Sequence, residues 1–331
     1  MSLKRSTRRV KLAPSGRQFD CQGNQSLLEA GLSAGLALPF NCSNGSCGTC
    51  RASVKDGTLE QIAFHDYALT EAEKAQNICL MCSYTASSDA VIEVIEANST
   101  HDIPSQELDA KFCHREWLLN VLLVRFKFTR GKALRFLPGQ YASIILPSGQ
   151  SANLPISSCP CDASYVEFHL LAEAETDAEI VNIRPAFIEE LLSLKNRERV
   201  SIKGPFGDFT LSSPINSAQL FLVSGIEFAS IQGLLEQIFN IELVQPSCLV
   251  WFSQNDKPNY RHNLCRAWHD AIDQFTYLPC DANADLSQLI TAQWLSEFAA
   301  GTVYIIGSGE IQLEAMRAIG FEPGKVIRVS D

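Results

Sequence analysis

Hydrophobic and polar positions follow three successive rhythms along the chain. Residues 8–12 and 18–21 form two short strand-like runs, and Pro14, Ser15 and Gly16 between them predict a hairpin. Ser26 then precedes Leu27, Leu28, Ala30 and Leu32, a helical spacing that stops near Gly35. After a cysteine-rich stretch, residues 91–95 predict a closing strand and the polar segment 97–105 a linker. From residue 108 to 209 strand periodicity dominates. Val124, Phe126 and Phe128 alternate with Arg125 and Lys127, and Val200, Ile202 and Gly204 alternate with Ser201 and Lys203. This pattern predicts a small antiparallel barrel, interrupted by a helix over 185–194 with Pro185 suited to its first position. Beyond Pro214 the strand-like runs 220–223, 248–252 and 302–306 are separated by helical runs, one around 231–239 and one bearing His and Trp. That rhythm predicts a small doubly wound α/β domain.

A length of 331 residues suits two or three domains, and 46% apolar with 19% charged residues excludes a disordered chain. The formal net charge of -10 argues against a general nucleic-acid binder, which needs a basic surface to neutralise phosphates. Lys4, Arg5, Arg8, Arg9 and Lys11 make the only basic cluster, read as a solvated tail beside the first strand. No apolar segment follows it, so no secretory signal and no membrane span are expected, and a cytoplasmic location is. Residues 13–98 carry ten acidic and four basic side chains, a balance of -6 that suits a basic partner face or a merely solvated surface.

Twelve cysteines are too sparse for a disulfide scaffold, which leaves metal ligation as the question. Cys42, Cys47 and Cys50 lie on one nine-residue loop with Gly45 and Gly48 between them, and Cys82 follows at a distance. The C-x4-C-x2-C spacing with a remote fourth cysteine is the plant-type [2Fe-2S] pattern. A zinc knuckle would call for two C-x2-C pairs, and the loop holds one. Cys79 forms its own C-x2-C pair with Cys82 and competes as the fourth ligand. The other eight cysteines are expected to be ordinary reduced thiols.

The helix at Leu28, the approach loop 35–40 and the segment Leu80-Met81-Cys82 resemble a plant-type ferredoxin. That resemblance implies a β-grasp fold and selects Cys82 over Cys79. Pro138-Gly139-Gln140-Tyr141 and Gly204-Pro205-Phe206-Gly207 resemble two landmarks of the ferredoxin-NADP reductase superfamily barrel. The whole chain is similar to the reductases that serve ring-hydroxylating dioxygenases, methane monooxygenase and phenol hydroxylase. The resemblance implies a ferredoxin domain at 1–98, a linker at 99–106, an FAD-type β-barrel at 107–212 and an NAD(P)-type α/β domain at 213–331. It also implies electron flow from NAD(P)H through FAD and the [2Fe-2S] cluster to an oxygenase or other redox partner.

In that family an Arg-x-Tyr-Ser motif holds FAD, and here it aligns most simply with Leu154, Pro155, Ile156 and Ser157, a shift to start at Ala152 being the alternative. Residues 136–161 contain no charged side chain, so Arg184, at the start of the helix over 185–194, is the candidate cation for the pyrophosphate. Neutralising the acidic stretch 173–179 is its competing role. The family's Gly-rich nucleotide turn reads Val223-Ser224-Gly225-Ile226-Glu227, keeping Gly225 and placing Glu227 where phosphate would sit. Ile306-Gly307 replaces the family's Cys-Gly, and the chain closes on Ile327-Arg328-Val329-Ser330-Asp331 without a terminal aromatic. The expected cofactor set is therefore the cluster, with FAD admitted and NAD(P)H disfavoured, and no catalytic residue is assigned. The competing expectation is a [2Fe-2S] carrier whose reductase-like domains are a scaffold without FAD or NAD(P)H. A third is a flavin reduced by a protein donor. Cys159-Pro160-Cys161 and the helical triplet His262, Cys265 and His269 could hold a metal, but are read as a loop and a partly buried helix face.

Overall fold

The computed structural model describes residues 7–23, 25–34, 36, 38–40, 44–46, 48–63, 68–94, 96, 100–128, 134–160, 165–171, 183–211, 217–240, 245–253, 258–281, 297–298, 301–306, 317 and 324–328. Two compact units result, one built on residues 1–106 with 128–136 and 160–165, the other from 107–127, 137–159 and 166–331.

The first unit begins with the hairpin of β1 (Thr7–Ala13) and β2 (Gln18–Gln22). Alternation along these strands turns Val10, Leu12, Phe19 and Cys21 inward. α1 (Leu27–Ser33) follows, capped by Ser26, whose hydroxyl accepts from the Glu29 N–H at 3.1 Å. Leu27, Leu28 and Ala30 are buried in the same core. Then come β3 (Arg51–Asp56), β4 (Leu59–Gln61), α2 (Glu71–Ala75), β5 (Ile78–Leu80), β6 (Tyr84–Ala86) and β7 (Ala90–Glu93). The main sheet runs β2-β1-β7-β3-β5, with β1 and β7 parallel and the other pairs antiparallel. A sheet with one central parallel pair and a helix entering its core is the expected β-grasp. The expected linker is partly structured: a 3-10 turn occupies Thr100–Asp102, and the next strand starts at Gln106.

In the second unit β8 (Gln106–Leu118), β9 (Val121–Phe128), β10 (Tyr141–Ile145), β11 (Ser151–Pro155), β12 (Val166–Leu171) and β13 (Arg199–Phe206) form one sheet, ordered β11-β10-β13-β8-β9-β12. α3 (Pro185–Ser193) lies between β12 and β13 in sequence. The chain beyond β11 curls the sheet on itself. The Ser157 N–H donates to the Glu167 carbonyl at 2.9 Å, and the Glu167 N–H donates to Ser158 Oγ at 3.1 Å. The two barrel landmarks hold each other: Tyr141 pairs with Phe206, and Gln140 Nε2 donates to the Gly207 carbonyl at 3.0 Å.

The α/β part contains β14 (Gln219–Ser224), α4 (Phe228–Asn240), β15 (Ser247–Phe252), α5 (His262–Ala271), β16 (Phe275–Cys280), β17 (Thr302–Ile305) and β18 (Lys325–Arg328). Its strands are all parallel in the order β16-β15-β14-β17-β18. Every residue of β14 and β15 is buried, which is why they read as unbroken apolar runs rather than alternating ones. The expected boundary at 212/213 lies outside the described residues. Among the described residues no helix is long and apolar enough to cross a membrane.

Candidate functional site

The cysteine loop of the first unit is held at its C-terminal end by backbone and arginine. Met81 N–H donates to the Cys50 carbonyl at 2.9 Å, and Leu28 N–H to the Met81 carbonyl at 3.0 Å, so the start of β3, α1 and the Met81-Cys82 turn are tied together. Cys50 and Cys82 are both buried, with their Sγ atoms 3.2 Å apart. This separation is far beyond a disulfide bond of about 2.05 Å and brings two soft donors to one point. The Cys50 contact overcomes burial and, with bonds from Ser83 and the Gly45 N–H, lowers the Cys82 thiol to about 6. Burial pushes Cys79 the other way, up to about 12. Cys79 sits within β5, paired across the ladder with Ala52 and packed in the core. The Cys50 and Cys82 thiols thus lie together, as a thiolate-bound cluster requires, while Cys79 is a core side chain of β5. Cys42 and Cys47 lie outside the described residues.

Arg51, absent from the sequence-based candidates, anchors this loop. Its Nη1 donates to the Gly48 carbonyl at 2.7 Å, its Nη2 to the Ala68 carbonyl, and its Nε lies 3.3 Å from Glu73. Glu73 is itself fixed by a capping box with Thr70 at the start of α2. Gly48 has φ +79, a conformation other residues rarely adopt, and a Cβ there would stand 2.0 Å from Arg51 Nη1, so a side chain at 48 would displace the guanidinium from this position.

The flavin candidates of the second unit are placed less favourably. Leu154, Ile156 and Ser157 are all buried, the first two with no polar side-chain atom. Among the described residues Ser157 Oγ has no hydrogen-bond partner, and a flavin contact would satisfy it. Arg184 is exposed at the N-cap of α3, at the N-terminal end of the helix where an anion is favoured, and its competing acidic partners at 173–179 lie outside the described residues. We expect Arg184→Ala to weaken flavin retention about tenfold, the worth of one charge-assisted hydrogen bond. Unchanged flavin content in the purified variant would remove Arg184 from the phosphate site. Gly225 opens a 3-10 turn directly after β14, and Glu227, in the same turn, is buried. Gly307 and the terminal residues 329–331 lie outside the described residues.

Comparison with known proteins fits this geometry. Residues 10–87 match the family described as 2Fe-2S iron-sulfur cluster binding domain. The chain is homologous to oxygenase reductase components. It is 26% identical to the terephthalate 1,2-dioxygenase reductase component 2 of Comamonas sp, over 83% of this chain and 82% of that one. It is also 26% identical to the toluate 1,2-dioxygenase electron transfer component of Pseudomonas putida, over 81% and 78%. Among solved structures, the Amycolatopsis cytochrome P450 reductase GcoB aligns over 98% of both chains with a TM-score of 0.55 at 19% identity. That level of identity speaks for the fold.

A second polar cluster escaped the sequence reading. Glu167, 2% exposed on β12, accepts from His169 Nε2 at 2.8 Å and Arg261 Nη2 at 2.9 Å, and pairs with Arg125 Nε. His169 Nδ1 lies 2.9 Å from the Tyr260 hydroxyl. Burial alone would raise the Glu167 carboxyl, but the His169 bond and the two arginines hold it at about 2. Burial keeps His169 neutral, below its usual range. With Glu167 accepting at Nε2, the ring proton sits there and Nδ1 accepts from Tyr260. Glu167 and His169 alternate with Val166, Phe168 and Leu170, the signature of a solvent-facing row, yet Tyr260 and Arg261 cover them.

The His262, Cys265 and His269 triplet holds no shared point: His262 Nδ1 is 3.2 Å from the Tyr277 hydroxyl, His269 Nδ1 is 3.0 Å from the Phe275 carbonyl, and Cys265 is fully buried. Cys159, expected as a reduced thiol, is disulfide-bonded. The eight other described cysteines form no disulfide. Cys161 lies outside the described residues.

Proposed function

We propose that this chain is an iron-sulfur electron-transfer oxidoreductase that passes electrons to an oxygenase component or another redox protein. The observation that carries the reading is the Cys50–Cys82 pair, buried at 3.2 Å inside a domain that matches the cluster-binding family. Cys42, Cys47, Cys50 and Cys82 would hold a [2Fe-2S] cluster, which supplies a one-electron couple. The chain's own part is to fix the loop through Arg51, to bury the sulfurs and to supply the Gly45 N–H to Cys82 Sγ. FAD belongs to this reading through the reductase homology, with Ser157 and Arg184 as its contacts and Leu154 and Ile156 as the apolar wall behind them.

NAD(P)H dependence is the finer reading that the reductase homology brings in, and the buried Glu227 in the turn after β14 stands against it. It requires the turn after β14 to admit a dinucleotide. Absorption spectra of the purified protein, with released flavin quantified and NADH then added, test the whole chain of transfer. Cluster bands with bound flavin are expected. Absence of cluster bands overturns the function proposed, and cluster bands without flavin select the carrier whose reductase-like domains are scaffold.

A further inference from the structure

We infer that Glu227 is a specificity-determining residue that closes the α/β domain to dinucleotides by occupying their phosphate position from within. The inference rests on the electron-transfer reading and concerns which donors the chain accepts. In the order β16-β15-β14-β17-β18 the chain runs outward from β14 on one side and resumes beside it on the other. The carboxyl end of β14 is therefore the switch point, where open parallel sheets receive a dinucleotide and the following helix turns its N-terminus to the pyrophosphate.

Here that place is already filled. Glu227 lies in the 3-10 turn between Ser224, the last residue of β14, and α4. Its Oε2 accepts from both the Ser224 N–H and the Ser224 hydroxyl, each at 3.2 Å. Only 7% of the residue is exposed, so this is a folded-back carboxylate and not a mobile surface charge. A carboxylate just ahead of a helix complements the dipole of its N-terminus as a ligand phosphate would.

Two further contacts keep the turn shut. Trp251 Nε1 donates to the Gly225 carbonyl at 3.1 Å, and Phe228, fully buried, stacks on the Trp251 ring at 4.1 Å and 9°. Rolling the turn outward would break that stack. A pyrophosphate would also meet buried carboxyl oxygens, themselves acceptors, in place of the amide donor of Ser224 that Glu227 already uses, and that mismatch costs affinity.

The test measures binding of ADP-ribose, which carries the dinucleotide pyrophosphate without a nicotinamide, to the full-length protein by calorimetry. The wild type is expected to bind it no tighter than millimolar. Glu227→Gly, which removes the internal anion, should bind at least about tenfold tighter. Glu227→Gln keeps the side-chain length and a carbonyl acceptor for Ser224, so it guards against misfolding of the glycine variant and should gain in the same direction by a smaller factor. Micromolar binding by the wild type, or no gain in either variant, overturns the inference. Cluster and flavin content are recorded on the same samples. A wild type without cluster would sink the electron-transfer reading while leaving the Glu227 comparison intact.

Discussion

Cys82→Ser is expected to leave the protein without its cluster, whereas Cys79→Ser should retain iron and sulfide at wild-type content. The difference follows from where the two sulfurs stand. Cys82 meets Cys50 at 3.2 Å on the tied turn that Met81 anchors, while Cys79 is a core side chain of β5 opposite Ala52. A thiolate-to-hydroxyl change at a ligand removes a soft donor that iron needs. The same change at Cys79 buries a hydroxyl in an apolar core, at a cost of about 1–3 kcal/mol in stability without touching a ligand. Iron and acid-labile sulfide analysis, with the visible spectrum, reads both variants. Retention in Cys82→Ser combined with loss in Cys79→Ser would reverse the ligand assignment.

The second large effect concerns Glu167. Glu167→Gln keeps the side-chain shape but leaves Arg125 and Arg261 facing a neutral amide in a buried site. Breaking a buried charge pair from one side costs about 3–5 kcal/mol, a large share of what a domain has in hand. The wild-type carboxyl is held at about 2 in the folded state, below an unfolded value of about 4.3. Its stabilisation is therefore complete above about pH 5 and is lost as the pH falls toward 2. His169 acts in the same direction, because a ring kept neutral in the fold takes up a proton only on unfolding as the solution is acidified. Urea unfolding across this range should show a wide gap between wild type and Glu167→Gln at pH 7 that narrows toward pH 3. A gap that stays constant with pH would remove the charge from the explanation.

The two carboxylates that matter most in the second unit illustrate what primary structure can and cannot convey. Glu167 lies in the alternation Val-Glu-Phe-His-Leu, which in isolation reads as a strand with one wet face. Its burial depends on Tyr260 and Arg261, more than ninety positions away, and no local pattern records that approach. Glu227 stood out already as a negative charge in a phosphate turn. Its folding back onto Ser224 and its seal by Trp251 became visible only with the β14–β15 pairing in place. Arg51 carries no local signal of its anchoring role. Its partners Gly48, Ala68 and Glu73 are set by the path of the chain around α2.

Local features, by contrast, needed no tertiary context. The hairpin of β1 and β2, the Ser26 cap, the change from alternating to continuous apolar runs and the spacing of Cys42, Cys47 and Cys50 are all short-range properties. Each is governed by backbone geometry or by how close small residues let two sulfurs come. They were enough for the order of the domains and the nature of the metal site. Which sulfur faces Cys50, which carboxylates are desolvated and whether the nucleotide turn is open were decided by the packed structure. Those are questions of distance and dielectric between residues remote in sequence, and only the fold supplies either quantity.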